Sequence, residues 1–188
     1  MLTNPFALTE GFTGPEQPTG AVPQYDEELN SWSAPFVMAA INTKNIHRSN
    51  FLLGHQYGED FRSDEMLLTG DGEQGKAAAE YVAKDDSIGK SDLQPGDGPT
   101  QEERENGNYD AIFAGQNSEG ELMISSVQGD RDPGYGSTSK MLAEAAICLL
   151  ENPTLASGGL WTPAAAMGQA LIDRLHAHAG LTFQIEKG

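Results

Sequence analysis

Residues 109–129, YDAIFAGQNSEGELMISSVQG, decide the fold class. Tyr109 to Gly115 and Glu121 to Gly129 alternate apolar and polar side chains around Asn117-Ser118-Glu119-Gly120, a tetrad of turn formers. A period of two marks a strand with one covered face, and a short turn between two such runs makes an antiparallel hairpin. Downstream the period changes. Ser137 to Glu151 reads as the longest helix, with Met141, Leu142, Ala145, Ile147, Cys148 and Leu149 as a broad buried face and Pro153 closing it. A second helix runs from Pro163 to His178, with Gly180 as its C′ residue, and Leu181 to Ile185 forms a last strand. Upstream, Ala34 to Leu53 is expected to be helical, with Pro35 in the first turn and Gly54 as the stop. Phe61 to Thr69 reads as a strand, and Lys76 to Ala83 as a short helix of strong helix formers. Residues 85–108 are the most polar and form a loop, with one helical turn at Thr100 to Glu105, where Thr100 and Glu103 have capping-box spacing.

The sum is an α+β fold: a mostly antiparallel sheet with helices packed on one face. Residues 1–33 carry Pro5, Pro15, Pro18 and Pro23 among scattered aromatics and no period, so they read as an extended N-terminal arm. Residues 34–188 read as a single α+β domain. Strands and helices do not alternate for long enough to build a doubly wound nucleotide-binding sheet, so no Rossmann domain is expected.

Composition narrows the partners. With 28 Asp plus Glu against 11 Lys plus Arg, the formal charge is -17. Such a surface repels phosphate backbones and anionic lipid, which argues against nucleic acid and membrane partners. The single cysteine, Cys148, lies in an apolar run and reads as a buried, inert thiol of a reducing, cytoplasmic compartment.

Gly70-Asp71-Gly72-Glu73-Gln74-Gly75-Lys76 matches two phosphate-loop patterns, GxGxxG and GxxxxGK. Against nucleotide binding stand the charges of Asp71 and Glu73, the polar stretch where the next strand is required, and Ala77 in place of a magnesium-holding hydroxyl. A tight strand-to-helix turn is the preferred reading. His176 and His178 stand two apart on a helix and point to different faces, so no metal site is expected there; their charge complements the helix dipole.

Four stretches together resemble a known family. They are Ala34-Pro35-Phe36-Val37-Met38-Ala39-Ala40-Ile41-Asn42, continuing through His47-Arg48-Ser49-Asn50 and Tyr57-Gly58-Glu59-Asp60-Phe61-Arg62; Pro95-Gly96-Asp97-Gly98-Pro99-Thr100; Asp132-Pro133-Gly134-Tyr135-Gly136-Ser137-Thr138; and Gly158-Gly159-Leu160-Trp161-Thr162-Pro163-Ala164-Ala165-Ala166-Met167-Gly168. In order and spacing they resemble the C-terminal half of saccharopine dehydrogenase-like (saccharopine reductase-like) oxidoreductases, whose bacterial members include trans-acting enoyl reductases. The resemblance implies an N-terminal Rossmann domain for NAD(P) and a later sheet-and-helix domain that covers the nicotinamide and forms the substrate pocket. This chain resembles only the later part. It is therefore expected to bind no cofactor alone, to lack activity without a Rossmann partner supplied by a separate or missing segment, and to homodimerise. A stand-alone dimerisation or small-ligand-binding module is the rival reading.

The candidate substrate-binding residues are Arg48, Asn50, Tyr135 and Thr138. Arg48 offers a bidentate donor to a carboxylate, with His47 or Asn50 to orient it; a solvated helix face is the alternative. Residues 130–138 read either as an end-of-strand turn with Ser137 and Thr138 capping the long helix, or as a pocket mouth where Tyr135 and the helix N-terminus face an anionic group or the cofactor. The expectation is one cleft lined by Arg48, Tyr135 and Thr138.

Overall fold

A computed structural model describes residues 4–85, 97–152 and 157–188. It shows the α+β class, with five helices and two three-stranded sheets whose strand pairings are all antiparallel. By contacts the chain forms two compact units, Met1–Ser91 and Asp92–Gly188, so the division falls elsewhere than the expected arm-and-domain boundary at residue 34.

In the first unit β1 (Gln24–Asp26), β2 (Ser31–Pro35) and β3 (Met66–Gly70) form a sheet in that order. Helix α1 spans Ala39–Leu52 and α2 spans Gly72–Lys84. Helix α1 thus begins later than the sequence suggests, because Ala34 and Pro35 pair with Leu67 and Met66 as strand. Ala34 is fully buried there, and strand pairing overrides the helix signal of Pro35. Residues 1–33 are likewise more than an arm, since they contain β1, the start of β2 and a segment folded onto α1. Phe6 stacks 4.6 Å from the His47 ring and Phe12 4.3 Å from the His55 ring, which fixes that segment.

The glycine loop is the strand-to-helix turn. Asp71 is the N-cap of α2, and its carboxylate accepts from the Gly72 N–H at 2.6 Å. Gly75 is required sterically, because a Cβ there would lie 2.0 Å from the Gly70 carbonyl oxygen. Lys76 sits over the Trp32 ring at 5.4 Å.

In the second unit α3 (Gln101–Asn106) carries the expected capping box, with Glu103 N–H donating to Thr100 Oγ1 at 3.2 Å and Thr100 N–H to Glu103 Oε2 at 2.7 Å. The Glu103 carboxyl titrates below its usual range because the Thr100 N–H and the Thr100 hydroxyl, which donates to Glu103 Oε2 at 2.8 Å, favour the charged form. Strands β4 (Tyr109–Gln116) and β5 (Leu122–Gly129) form the hairpin in register, from Tyr109 opposite Gly129 to Gln116 opposite Leu122. Asn117 Oδ1 accepts from the N–H groups of Glu119 and Glu121, and Gly120 takes φ of +82° to close the turn. Strand β6 (Leu181–Lys187) pairs with β5 on its other edge.

Helices α4 (Gly136–Glu151) and α5 (Pro163–His178) supply the core. Cys148, Ala166, Met167, Leu171, Leu175, Ala179 and Leu181 form one buried cluster, against which Val127, Met141, Ala145 and Phe183 pack. Helix α5 is kinked at Gly168, whose φ is +48°. The broad buried face expected of α4 divides in two. Met141, Ala145 and Cys148 face the core, whereas Leu142, Ile147, Leu149 and Leu150 are exposed. The closing role expected of Pro153 and the family stretch at Pro95 and Gly96 lie outside the described residues. No helix among the described residues is long and apolar enough to cross a membrane.

Candidate functional site

The four residues singled out in the sequence fall two and two. Arg48 and Asn50 stand on α1 of the first unit, Tyr135 and Thr138 at the start of α4 in the second.

On α1 the buried residues are polar: His47, Ser49 and Asn50. Asn50 is buried, its Nδ2 donating to the Gly58 carbonyl at 2.9 Å and its Oδ1 accepting from the Tyr57 N–H at 2.9 Å. It therefore fastens the turn after the helix, where Gly54 and His55 both take positive φ. Arg48 Nη1 donates to the Leu8 carbonyl at 3.0 Å, and the guanidinium stands 5.7 Å from the Phe51 ring centre. Asn42 Nδ2 donates to Glu65 Oε1 at 3.1 Å.

His47 and His55 carry the unusual chemistry here. His47 is buried between Phe6 and Phe61, the latter ring 5.7 Å away, and His55 lies between Phe12 and Phe51. His47 Nε2 and His55 Nδ1 are buried with no protein hydrogen-bond partner, as are Ser63 Oγ and Glu65 Oε2. Burial pushes the His47 pKa below its ordinary value, which keeps that imidazole neutral near pH 7. Sequence reasoning treated His47 only as an orienting partner and passed over His55. The available signals were Phe6 and Phe12, spaced to meet a helix face, and a histidine directly after the helix-stopping Gly54.

In the second unit the start of α4 is built on Asp132. Its Oδ1 accepts from the N–H groups of Gly134 at 3.0 Å and Tyr135 at 2.9 Å, and its Oδ2 from Gly136 at 2.5 Å. Desolvation works against the charge of Asp132, but these donors and the nearby Arg104 outweigh it and hold the carboxyl below its usual range. The helix N-terminus offered to an anionic ligand on sequence grounds is thus occupied by the chain's own carboxylate. The expected caps are also reassigned. Ser137 is fully buried with its Oγ 3.0 Å from Tyr109 Oη, and Thr138 Oγ1 donates to the Pro133 carbonyl at 2.7 Å. The signal for Asp132 was Asp-Pro-Gly, a turn in which an aspartate accepts from the backbone ahead of it.

Tyr135 is exposed and lies against Gly98, where a Cβ would stand 3.4 Å from its ring. Arg104 Nη1 donates to the Pro99 carbonyl at 2.6 Å and Arg131 Nη1 to the Glu105 carbonyl at 3.0 Å, so α3 is tied to the Asp132 loop. A depression of about 350 Å³ nearby is lined by Asn108, Tyr109, Asp110, Gln128, Asp130 and Thr182, among other residues. Its carboxylates make it a poor host for an anion. Among the described residues no group of three or more His, Cys, Asp and Glu is placed to hold a metal ion.

Against known proteins, the chain is similar to enoyl reductases. It is 35% identical over 172 residues to a Mycobacterium tuberculosis protein provisionally named a trans-acting enoyl reductase, a match covering 81% of this chain and 41% of that protein. It is 30% identical to the trans-acting enoyl reductase of Mycobacterium bovis and 29% identical to that of Mycobacterium ulcerans, each over 93% of this chain and 48% of the relative. The chain spans less than half the length of the curated relatives it matches. No family model matches the chain, and no solved structure matches it.

Proposed function

We propose that the chain is the substrate-side part of an NAD(P)-dependent oxidoreductase of the saccharopine dehydrogenase-like type, inactive until a nucleotide-binding domain is supplied. The observation that carries this reading is the similarity to trans-acting enoyl reductases, which takes in most of this chain and less than half of each relative. The antiparallel pairing of every described strand supports it, because dinucleotide folds are built on parallel sheets. The acidic cap at Asp71 and the seat of Lys76 on Trp32 also favour a turn over a phosphate cradle at residues 70–76. In this reading the ligand is a small molecule, and Arg48, Asn50, Tyr135 and Thr138 are the candidate substrate-binding residues. The part also serves as a homodimerisation domain.

The test is a chimera in which this chain replaces the matched stretch of the Mycobacterium tuberculosis relative. Oxidation of NADPH or NADH with an enoyl thioester is expected from the chimera, and neither cofactor nor ATP is expected to bind the isolated 188-residue chain. Calorimetric binding of a nucleotide by the isolated chain, lost in Lys76→Ala, would overturn the reading in favour of the glycine loop.

A further inference from the structure

Residues 4–14 lie against α1 as a short folded segment. Its backbone hydrogen bonds are local: Ala7 N–H donates to the Asn4 carbonyl, Thr9 to Phe6 and Phe12 to Thr9. The buried Thr9 hydroxyl also donates to the Phe6 carbonyl at 3.0 Å. Toward the rest of the unit the segment presents rings. Phe6 stacks 4.6 Å from His47 and Phe12 4.3 Å from His55, while the Leu8 carbonyl accepts from Arg48 at 3.0 Å. The second ring against His47, that of Phe61, is held more firmly. Gln17 donates to the Phe61 carbonyl at 3.2 Å and accepts from the Ser63 N–H at 3.0 Å.

We propose that residues 4–14 are a strap over α1 that opens when the His47 imidazole takes up a proton. His47 is 3% exposed, and its Nε2 is buried with no protein hydrogen-bond partner. A neutral imidazole carries one N–H, whereas an imidazolium carries two and a full charge. In the closed strap that charge meets phenyl rings and no acceptor at Nε2, and contact with rings offsets only part of the lost hydration. The charged and titratable groups on the surrounding elements do not make up the difference. They are Glu10 on the strap, Lys44 and Arg48 on α1, His55 after it, and Glu59, Asp60, Arg62, Asp64 and Glu65 on the stretch that carries Phe61. His47 Nε2 bonds to none of them; Glu10, Glu59, Asp60, Arg62 and Asp64 are exposed, and Glu65 Oε1 accepts from Asn42. Burial accordingly pushes the His47 pKa down. Opening the strap brings water to the ring at the loss of the Phe6 and Phe12 stacks and the bond from Arg48, whereas displacing Phe61 would break the Gln17 clamp. No strap residue belongs to β1, β2 or β3, so the sheet stays paired when the strap opens. With the strap open His47 has its ordinary pKa near 6.5, and with it closed a lower one. The strap is therefore shut above that pH, and its opening constant rises by up to about tenfold for each pH unit below, until the closed-state pKa is reached. None of this depends on the oxidoreductase reading.

Hydrogen exchange in the 188-residue chain, corrected for intrinsic rates, tests the strap. Between pH 7.5 and 5.0 the protection of the Ala7, Thr9 and Phe12 amides should fall by at least about threefold, while amides of α2 and of the β2–β3 pair keep theirs. The fall should follow the titration of the His47 ring recorded by NMR in the same sample. In His47→Gln and His47→Phe, neither of which titrates there, strap protection should be independent of pH. Loss of protection in strap and sheet together overturns the proposal, since the unit then opens as one body. So does a strap that stays protected while His47 titrates, and so does a pH dependence that survives both substitutions. Should both variants fold poorly, the comparison of His47 titration with strap exchange in the unmodified chain decides alone.

Discussion

Replacing Asn50 by alanine is expected to unfold the first unit at markedly lower temperature, because this side chain holds the turn after α1. Two hydrogen bonds are lost, one to the Gly58 carbonyl and one from the Tyr57 N–H, both at 2.9 Å. A buried backbone group left without its partner costs about 1–3 kcal/mol, and since Tyr57 lies near solvent the sum is set at about 2–3 kcal/mol. In a unit of this size each kilocalorie moves the midpoint by about 4–8 °C, so a fall of about 8–24 °C is expected. The assay is available in the chain itself, whose two tryptophans are Trp32 in the first unit and Trp161 in the second. In a Trp161→Phe background, Trp32 fluorescence follows the first unit alone through a thermal or urea transition. Asn50→Asp keeps the acceptor for Tyr57 and loses the donor to Gly58, so it should fall between wild type and alanine. A drop of less than about 3 °C for Asn50→Ala, under a kilocalorie by the same conversion, refutes the structural role. If such a variant also lost activity in the chimera, Asn50 would be a ligand-binding residue after all.

Gly75→Ala should destabilise the same unit by about 1–3 kcal/mol or more, since its Cβ would meet the Gly70 carbonyl at 2.0 Å; Trp32 fluorescence in urea reads this. The first unit should also weaken on acidification. His47 has a folded pKa below its unfolded value near 6.5, so the unfolded chain takes up the proton first; stability is full above that pH and falls as pH drops through the folded pKa. His47→Phe should flatten that dependence, as seen in midpoints measured from pH 7.5 to 5. In the second unit Leu171→Ala removes a buried side chain of the helical core and should cost about 2–5 kcal/mol, read by Trp161 in a Trp32→Phe background.

How far the site was legible depended on how local its determinants were. Arg48, Asn50, Tyr135 and Thr138 stood out as polar residues in distinctive stretches, but their partners lie on segments whose folding the sequence leaves open. Asn50 needed the path of residues 54–58, Arg48 the segment carrying Leu8, and Thr138 the bend at Pro133. His55 shows in the sequence only as a histidine after the helix-stopping Gly54, because its ring acquires meaning only when Phe12 folds over it.

What the sequence determined by itself is what short-range physics controls. The hairpin at 109–129 follows from alternation around an Asn-to-Gly turn, the capping box of Thr100 and Glu103 from spacing alone, and α5 with its C′ Gly180 from Pro at one end and Gly at the other. Tertiary structure decided the rest. Ala34 and Pro35 are strand because β3 stands ready to pair with them, and pairing outweighs a proline-led helix signal. Residues 4–14 are folded because two histidines and Phe51 offer rings to Phe6 and Phe12. The apolar residues of α4 exceed what one neighbouring helix and sheet can cover. A periodic pattern states that a face is apolar, whereas the geometry of neighbouring elements decides which part of it is buried.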